Sequence, residues 1–94
     1  MPGPSDEEIE VKVINEVATF ARLKPSTVKS KRTSALDKLG IDHIGFVHLA
    51  ATLRAYIQFS NPLNPSVTLK VNEIEKEKFT VDDLISLVKE RIRK

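Results

Sequence analysis

Two histidines, His43 and His48, are the side chains of this 94-residue sequence best suited to acid–base or metal chemistry. A separation of five residues places them about 140° apart on a helix. Histidine pairs that bind a metal from one helix are spaced more closely and have a further ligand nearby. The sequence also contains no cysteine that could supply a thiolate. We therefore expect no metal site.

The sequence shows no recognisable catalytic site. It has no nucleophile beside a base, no glycine-rich phosphate loop and no carboxylate pair at a convincing spacing. His43 by itself leaves two interpretations open. It is either a functional imidazole, acting as a base or a pH-sensitive contact, or a surface residue in the first turn of a helix. We expect a protein that binds, not an enzyme.

Apolar residues at helical spacing predict three main helices that would position these side chains. The first covers residues 6–22, the second covers residues 43–58, and the third begins near residue 80. Each starts at a recognisable capping residue: Ser5 with Glu8, Asp42, and Thr80 with Asp83.

The segments between these helices are predicted to be mostly irregular. Residues 24–38 favour a loop with one short helical turn, anchored to the core by Val28 and Leu36. The alternating "VTLKV" at 67–71 has no second strand to pair with, which favours an extended loop. The following "NEIEKEK" at 72–78 favours one helical turn.

The fold class that follows is all-α: a small bundle of three main helices plus one short helix, in a single domain. We expect the bundle to cover residues 8–92 after a flexible tail of residues 1–7. No apolar run approaches the roughly 20 residues needed to cross a bilayer, and no secretory leader is visible. We expect a cytoplasmic protein without a membrane span.

Charge is unevenly distributed along the chain. Residues 17–72 contain eight basic and two acidic residues, a formal charge of +6, whereas the two flanks together carry −4. The run "KSKR" at 29–32 suggests nucleic-acid binding, but its loop has no aromatic platform and the helix at 43–58 is too apolar to lie in a groove. A nucleic-acid-binding helical module is therefore only the third function we consider, and nucleic acid is not the expected partner.

Three motifs resemble the acyl carrier protein family: "SALDKLG", "LGIDHI" at residues 39–44, and "FTVDDLISLV". That family is a four-helix bundle whose second helix begins at an Asp-Ser-Leu tripeptide preceded by Leu-Gly and one more residue. The resemblance extends over about residues 8–92. It implies the same fold here and places Val47, Leu49 and Leu53 in the core of the second helix.

His43, flanked by Asp42 and Ile44, stands where the family has the serine that carries 4'-phosphopantetheine. Attachment of that group requires a hydroxyl oxygen, and an imidazole has none. The resemblance therefore implies an atypical member of the family, and we expect no cofactor.

Other departures concern the partner. Gly45 and His48 stand where the family usually has acids, no acid occurs between Asp42 and Glu73, and the link after the second helix is longer than the family's. The resemblance then implies a protein–protein interaction with an enzyme of fatty-acid, other acyl or polyketide metabolism whose docking surface is acidic. The alternative is a true acyl carrier protein, either with the group attached elsewhere or with His43 replacing a native serine.

The second helix is too apolar to bury all its apolar side chains on one inward stripe. We expect part of it to contact a partner or a second copy of the chain, which would form a homodimer through residues 43–58. The candidate contact residues are Phe46, His48, Leu49, Arg54 and Tyr56.

Overall fold

Five α-helices and one short 3-10 helix make up the computed structural model, which describes residues 3–64 and 66–93. There is no β-strand in this part of the chain, so the all-α prediction is confirmed. In chain order the elements are α1 (Asp6–Ala21), α2 (Pro25–Ser30), the 3-10 helix (Leu36–Leu39), α3 (His43–Ser60), α4 (Val71–Ile74) and α5 (Val81–Ile92).

The predicted caps form as the sequence indicated. The Ser5 hydroxyl accepts a hydrogen bond from the Glu8 N–H at 3.2 Å, and the Thr80 hydroxyl accepts one from the Asp83 N–H at 3.0 Å. Because α1 begins at Asp6, the expected tail of residues 1–7 overlaps the first turn of that helix. Residues 1 and 2 lie outside the described residues.

The three long helices pack against one another around an apolar core. No polar or charged residue is buried among the described residues, so apolar burial supplies the stabilisation of the core. The most completely buried side chains of the three helices are Ile9, Val13 and Val17 of α1, Leu49, Leu53 and Ile57 of α3, and Val81, Leu84 and Val88 of α5.

The segment at 24–38 is more ordered than we expected, because it forms both α2 and the 3-10 helix. Pro25 occupies the start of α2, where its missing N–H removes no helical hydrogen bond. Gly40, with a φ of 93°, ends the 3-10 helix in a left-handed conformation. The expected anchors Val28 and Leu36 are both fully buried.

Residues 67–70, directly before α4, form neither a helix nor a strand, and they pack onto the bundle. Val67 and Leu69 are buried in the core. The Gln58 side-chain amide donates to the Val67 carbonyl at 3.3 Å, and the Arg91 guanidinium donates to the Thr68 carbonyl at 2.7 Å. Side chains of both α3 and α5 therefore hold this part of the link in place.

Candidate functional site at the start of helix α3

The first turn of α3 is fixed by Asp42 and Gly45. The Asp42 carboxylate accepts a hydrogen bond from the Gly45 N–H at 2.7 Å, as expected of an N-cap. A Cβ on Gly45 would lie 3.0 Å from Ile41 Cγ2 and 3.1 Å from Asp42 Oδ1. Close packing therefore accounts for glycine at the position where the resemblance implies an acid.

His43 is bound to a carboxylate 32 residues further along the chain. Its Nδ1 lies 2.8 Å from Glu75 Oε1 and 3.1 Å from Glu75 Oε2. Glu75 caps the end of α4, so the contact joins the start of α3 to that helix. The His43 side chain is largely exposed, so it is a surface residue with a carboxylate partner.

The residues around position 43 do not fit the attachment of 4'-phosphopantetheine. His43 lacks a hydroxyl, and its Nδ1 is already engaged by Glu75. The side chain at this position instead connects two helices of the bundle.

His48 has a different environment from His43. Its ring stacks on Phe20 of α1, with ring centroids 6.1 Å apart and an interplanar angle of 13°. Across residues 3–64 and 66–93, no three His, Cys, Asp or Glu side chains form a group that could hold a metal ion.

The exposed side of α3 differs from the one that sequence reasoning selected. Phe46 and Leu49, two candidate contacts, are buried in the core and are unavailable to a partner. Val47, which the resemblance places in the core, is 42% exposed, and Ile44 is 66% exposed. The helix turns these two apolar side chains outward because the opposite side packs on α1 and α5.

The remaining candidate contacts are divided between two faces. Arg54 is exposed and carries the only formal charge in α3. Tyr56 is half-buried beside α1, where Lys12 Nζ lies 5.6 Å from the centre of its ring. Burial raises the pKa of the Tyr56 hydroxyl. Arg54 therefore remains available for a partner, whereas Tyr56 contributes mainly to the contact with α1.

The basic run at 29–32 is not a uniform cationic surface. Arg32 Nε donates to Asp82 Oδ1 at 2.6 Å, and the same guanidinium donates to Glu10. The hydrogen bonds to Asp82 and Glu10 raise the pKa of Arg32. Arg32 thus connects α1 to α5, while its neighbours Lys29 and Lys31 are exposed.

A second exposed apolar region lies beyond the end of α3. Phe59 is 86% exposed and Leu63 is 95% exposed. The two side chains border adjoining depressions of the surface that share Pro4, Ser60 and Pro62. We call Phe59 and Leu63 the apolar tip.

Sequence reasoning missed the His43–Glu75 contact and the exposure of Leu63, which with Phe59 makes up the apolar tip. No local pattern connects residues 43 and 75, because their proximity depends on how α4 packs against α3. The tip did carry a signal: the fifteen consecutive residues 55–69 are uncharged.

The sequence matches no known protein family, and neither a curated protein nor a solved structure gives a match. Within the described residues, no helix combines the length and the apolar character needed to cross a bilayer.

Proposed function

We propose that this protein is an atypical acyl-carrier-like module that lacks the phosphopantetheine serine and acts by binding a partner protein. In this proposal it is not an enzyme, carries no cofactor and works in the cytoplasm. The partner is an enzyme of fatty-acid, other acyl or polyketide metabolism.

One observation carries the proposal: the start of α3 presents Ile44 and Val47 to solvent directly beside His43. An exposed pair of branched apolar side chains on a rigid helix is a suitable centre for a protein contact. We call Ile44 and Val47 the α3 contact pair. The helix order supports the acyl-carrier-like interpretation, because a long first helix, a segment with two short helices, the capped helix α3, a short helix and a final helix follow one another.

Charge supports an acidic partner surface. No acidic residue occurs between Asp42 and Glu73, and the exposed side of α3 carries Arg54. A basic docking surface, of the kind that acidic carriers use, would find no complementary charge on this helix.

The loss of the prosthetic group is tested by intact-mass measurement after incubation with coenzyme A and a phosphopantetheinyl transferase. We expect the wild-type mass to remain unchanged. His43→Ser serves as the comparison: a gain of one phosphopantetheine group would show that residue 43 alone prevents loading. A mass gain by the wild-type protein would refute the proposal and establish the true-carrier alternative.

The partner contact is tested by affinity capture from a lysate of the source organism with identification of the captured proteins. We expect an acyl-processing enzyme to bind the wild type and to be lost with the Ile44→Ser/Val47→Ser double variant. Val11→Ser, which changes an exposed apolar residue on α1, is the matched control and should retain the partner. Equal capture by all three proteins would contradict docking through the α3 contact pair.

A further inference from the structure

We infer that the exposed face of α3 binds a second copy of the chain, with the two helices antiparallel across a twofold axis. This face runs from residue 44 to residue 59 and includes the α3 contact pair. A second copy bound there covers the docking site for the partner enzyme, so that self-association regulates that site. The dimer is inferred from the geometry of α3, and only this regulatory consequence rests on the proposed function.

The face is continuous along the helix. Its exposed residues include Ile44, Val47, Ala51, Arg54, Ala55 and Phe59. At about 100° per residue, these positions lie within an arc of about 140°. Ile44, Ala51 and Ala55 form the centre line of the arc, within about 40° of one another. Val47 and Arg54 lie along one edge and Phe59 lies along the other.

The face is complementary to itself when the twofold axis passes close to Ala51. Residues whose numbers sum to about 102 then lie at the same height on the two helices. Ala51 faces Ala51 of the second copy, and two such small side chains let the helix axes approach closely. Val47 lies at the height of Ala55 of the second copy, and Ile44 lies within about 2 Å of the height of its Phe59. Small side chains therefore meet at the centre, and the larger apolar ones close the two ends.

The single charge on the face selects this register. Arg54 is the only formal charge in α3. An axis at Ala51 separates the two Arg54 positions by about 9 Å along the helices, whereas an axis midway between Ala51 and Ala55 would reduce that separation to about 3 Å. Like charges about 9 Å apart repel only weakly in water. Each Arg54 also lies at the edge beside Val47 of the second copy, where its aliphatic part covers apolar surface and its guanidinium stays hydrated.

The area of the face indicates a reversible dimer. Ile44 is 66% exposed, Val47 is 42% exposed and Phe59 is 86% exposed. With the alanines and the aliphatic part of Arg54, the face offers on the order of 500 Å² per copy. A pair of copies then buries on the order of 1,000 Å², the lower end of the range for specific interfaces. The population of such a dimer depends on concentration, as regulation of a docking site requires.

Sedimentation velocity of the full chain over a range of concentrations tests the dimer. Phe59→Ser, a change outside the α3 contact pair, should weaken dimerisation by about tenfold or more. Val11→Ser, on α1, should leave it unchanged. Arg54→Gln and high salt should each strengthen the dimer, because each reduces the repulsion between the two Arg54 side chains. Binding of an acidic partner should respond in the opposite direction to both changes.

A cysteine at position 51 tests the register. The chain contains no cysteine, so Ala51→Cys introduces a single thiol at the twofold axis. Two Cα atoms within about 7 Å of each other can be joined by a disulfide. We expect the thiol oxidant diamide to convert Ala51→Cys to a covalent dimer much faster than Val11→Cys, which carries its thiol on α1. Thermal unfolding of reduced samples should give midpoints close to that of the wild type, because the replaced side chains are exposed.

Three results would each overturn the inference: a wild-type chain that stays monomeric up to about 1 mM, a dimer that Phe59→Ser does not weaken, or equal rates of cross-linking at positions 51 and 11. A monomer would leave the α3 face to the partner enzyme alone, and the proposed function would stand. A wild-type chain that accepts phosphopantetheine would instead refute the proposed function and leave the dimer unaffected.

Discussion

At the scale of single residues, polar side chains join segments that are far apart in the sequence. His43 contacts Glu75, and the Arg91 guanidinium donates both to the Glu73 carboxylate and to the Thr68 carbonyl. Glu73 lies within α4 and its carboxylate accepts a hydrogen bond from the N–H of Lys70, the residue that caps the start of that helix, whereas Glu75 caps its end. Short as it is, α4 is therefore held by an ionisable contact at each end.

Glu73 gives a pH-dependent prediction. The hydrogen bond from Arg91 holds the pKa of the Glu73 carboxyl below its ordinary value of 4.5. A carboxyl with a lowered pKa in the folded state stabilises the protein above its unfolded-state pKa, and this stabilisation disappears as pH falls through the folded-state pKa. We expect wild type to be more stable than Glu73→Gln near neutral pH, with the difference shrinking as pH falls below 4.5.

Urea unfolding of both proteins between about pH 7 and pH 2 measures that difference. The pKa of Asp6 is also lowered, by its hydrogen bond with Arg93, but Asp6 is present in both proteins and its contribution cancels in the comparison. If the difference in free energy of unfolding stayed constant into strong acid, the ionised carboxylate of Glu73 would not be the source of the stabilisation.

At the scale of elements, the link between α3 and α4 is a structural part of the bundle. It contains one buried leucine, Leu69, and one almost fully exposed leucine, Leu63. Two leucines only six residues apart in the sequence therefore have opposite environments, one in the core and one on the surface.

This contrast predicts unequal effects of the same substitution. Leu69→Ala should lower the free energy of unfolding by about 2–4 kcal/mol, because it removes a buried side chain and leaves a cavity. Leu63→Ala should change it by less than about 0.5 kcal/mol, as is usual for an exposed position. Chemical denaturation measures the free energy of unfolding of both variants. A similar decrease for the two would contradict the burial of Leu69 and the exposure of Leu63.

At the scale of the whole molecule, Arg32 joins the first and last helices by pairing with Glu10 and Asp82. The backbone also ties residue 32 to α5, since the Asp82 N–H donates to the Arg32 carbonyl at 2.9 Å. A residue within the most basic run of the chain therefore helps to close the bundle.

Arg32→Ala should destabilise the protein by up to about 1 kcal/mol, because its side chain is partly exposed to solvent and ion pairs in such positions are screened. Lys31→Ala, which removes the same charge at an exposed neighbour, should have a smaller effect. The difference in stability between the two variants should become smaller in high salt, because salt screens the ion pairs of Arg32. Equal unfolding midpoints for both variants at low salt would refute a bridging role for Arg32.

Features that depend on residues close together in the sequence were predicted, whereas features that depend on tertiary packing were not. The caps at Ser5, Asp42 and Thr80 depend on residues within one turn, and all three were predicted. The second short helix within 24–38 was missed. The direction of Val47 was also missed, because helical spacing identifies neighbouring positions but not which side faces the core.

By itself the sequence determined the helical class, the helix starts, the absence of a hydroxyl at position 43 and the uneven charge of the chain. These are properties of residue type and of neighbours along the chain. Only the tertiary structure decided that Phe46 and Leu49 are buried while Ile44 and Val47 are exposed. It alone also paired His43 with Glu75. The physical reason is that burial and ion pairing depend on which helix faces pack together, and that choice is made by the whole apolar core rather than by any short segment.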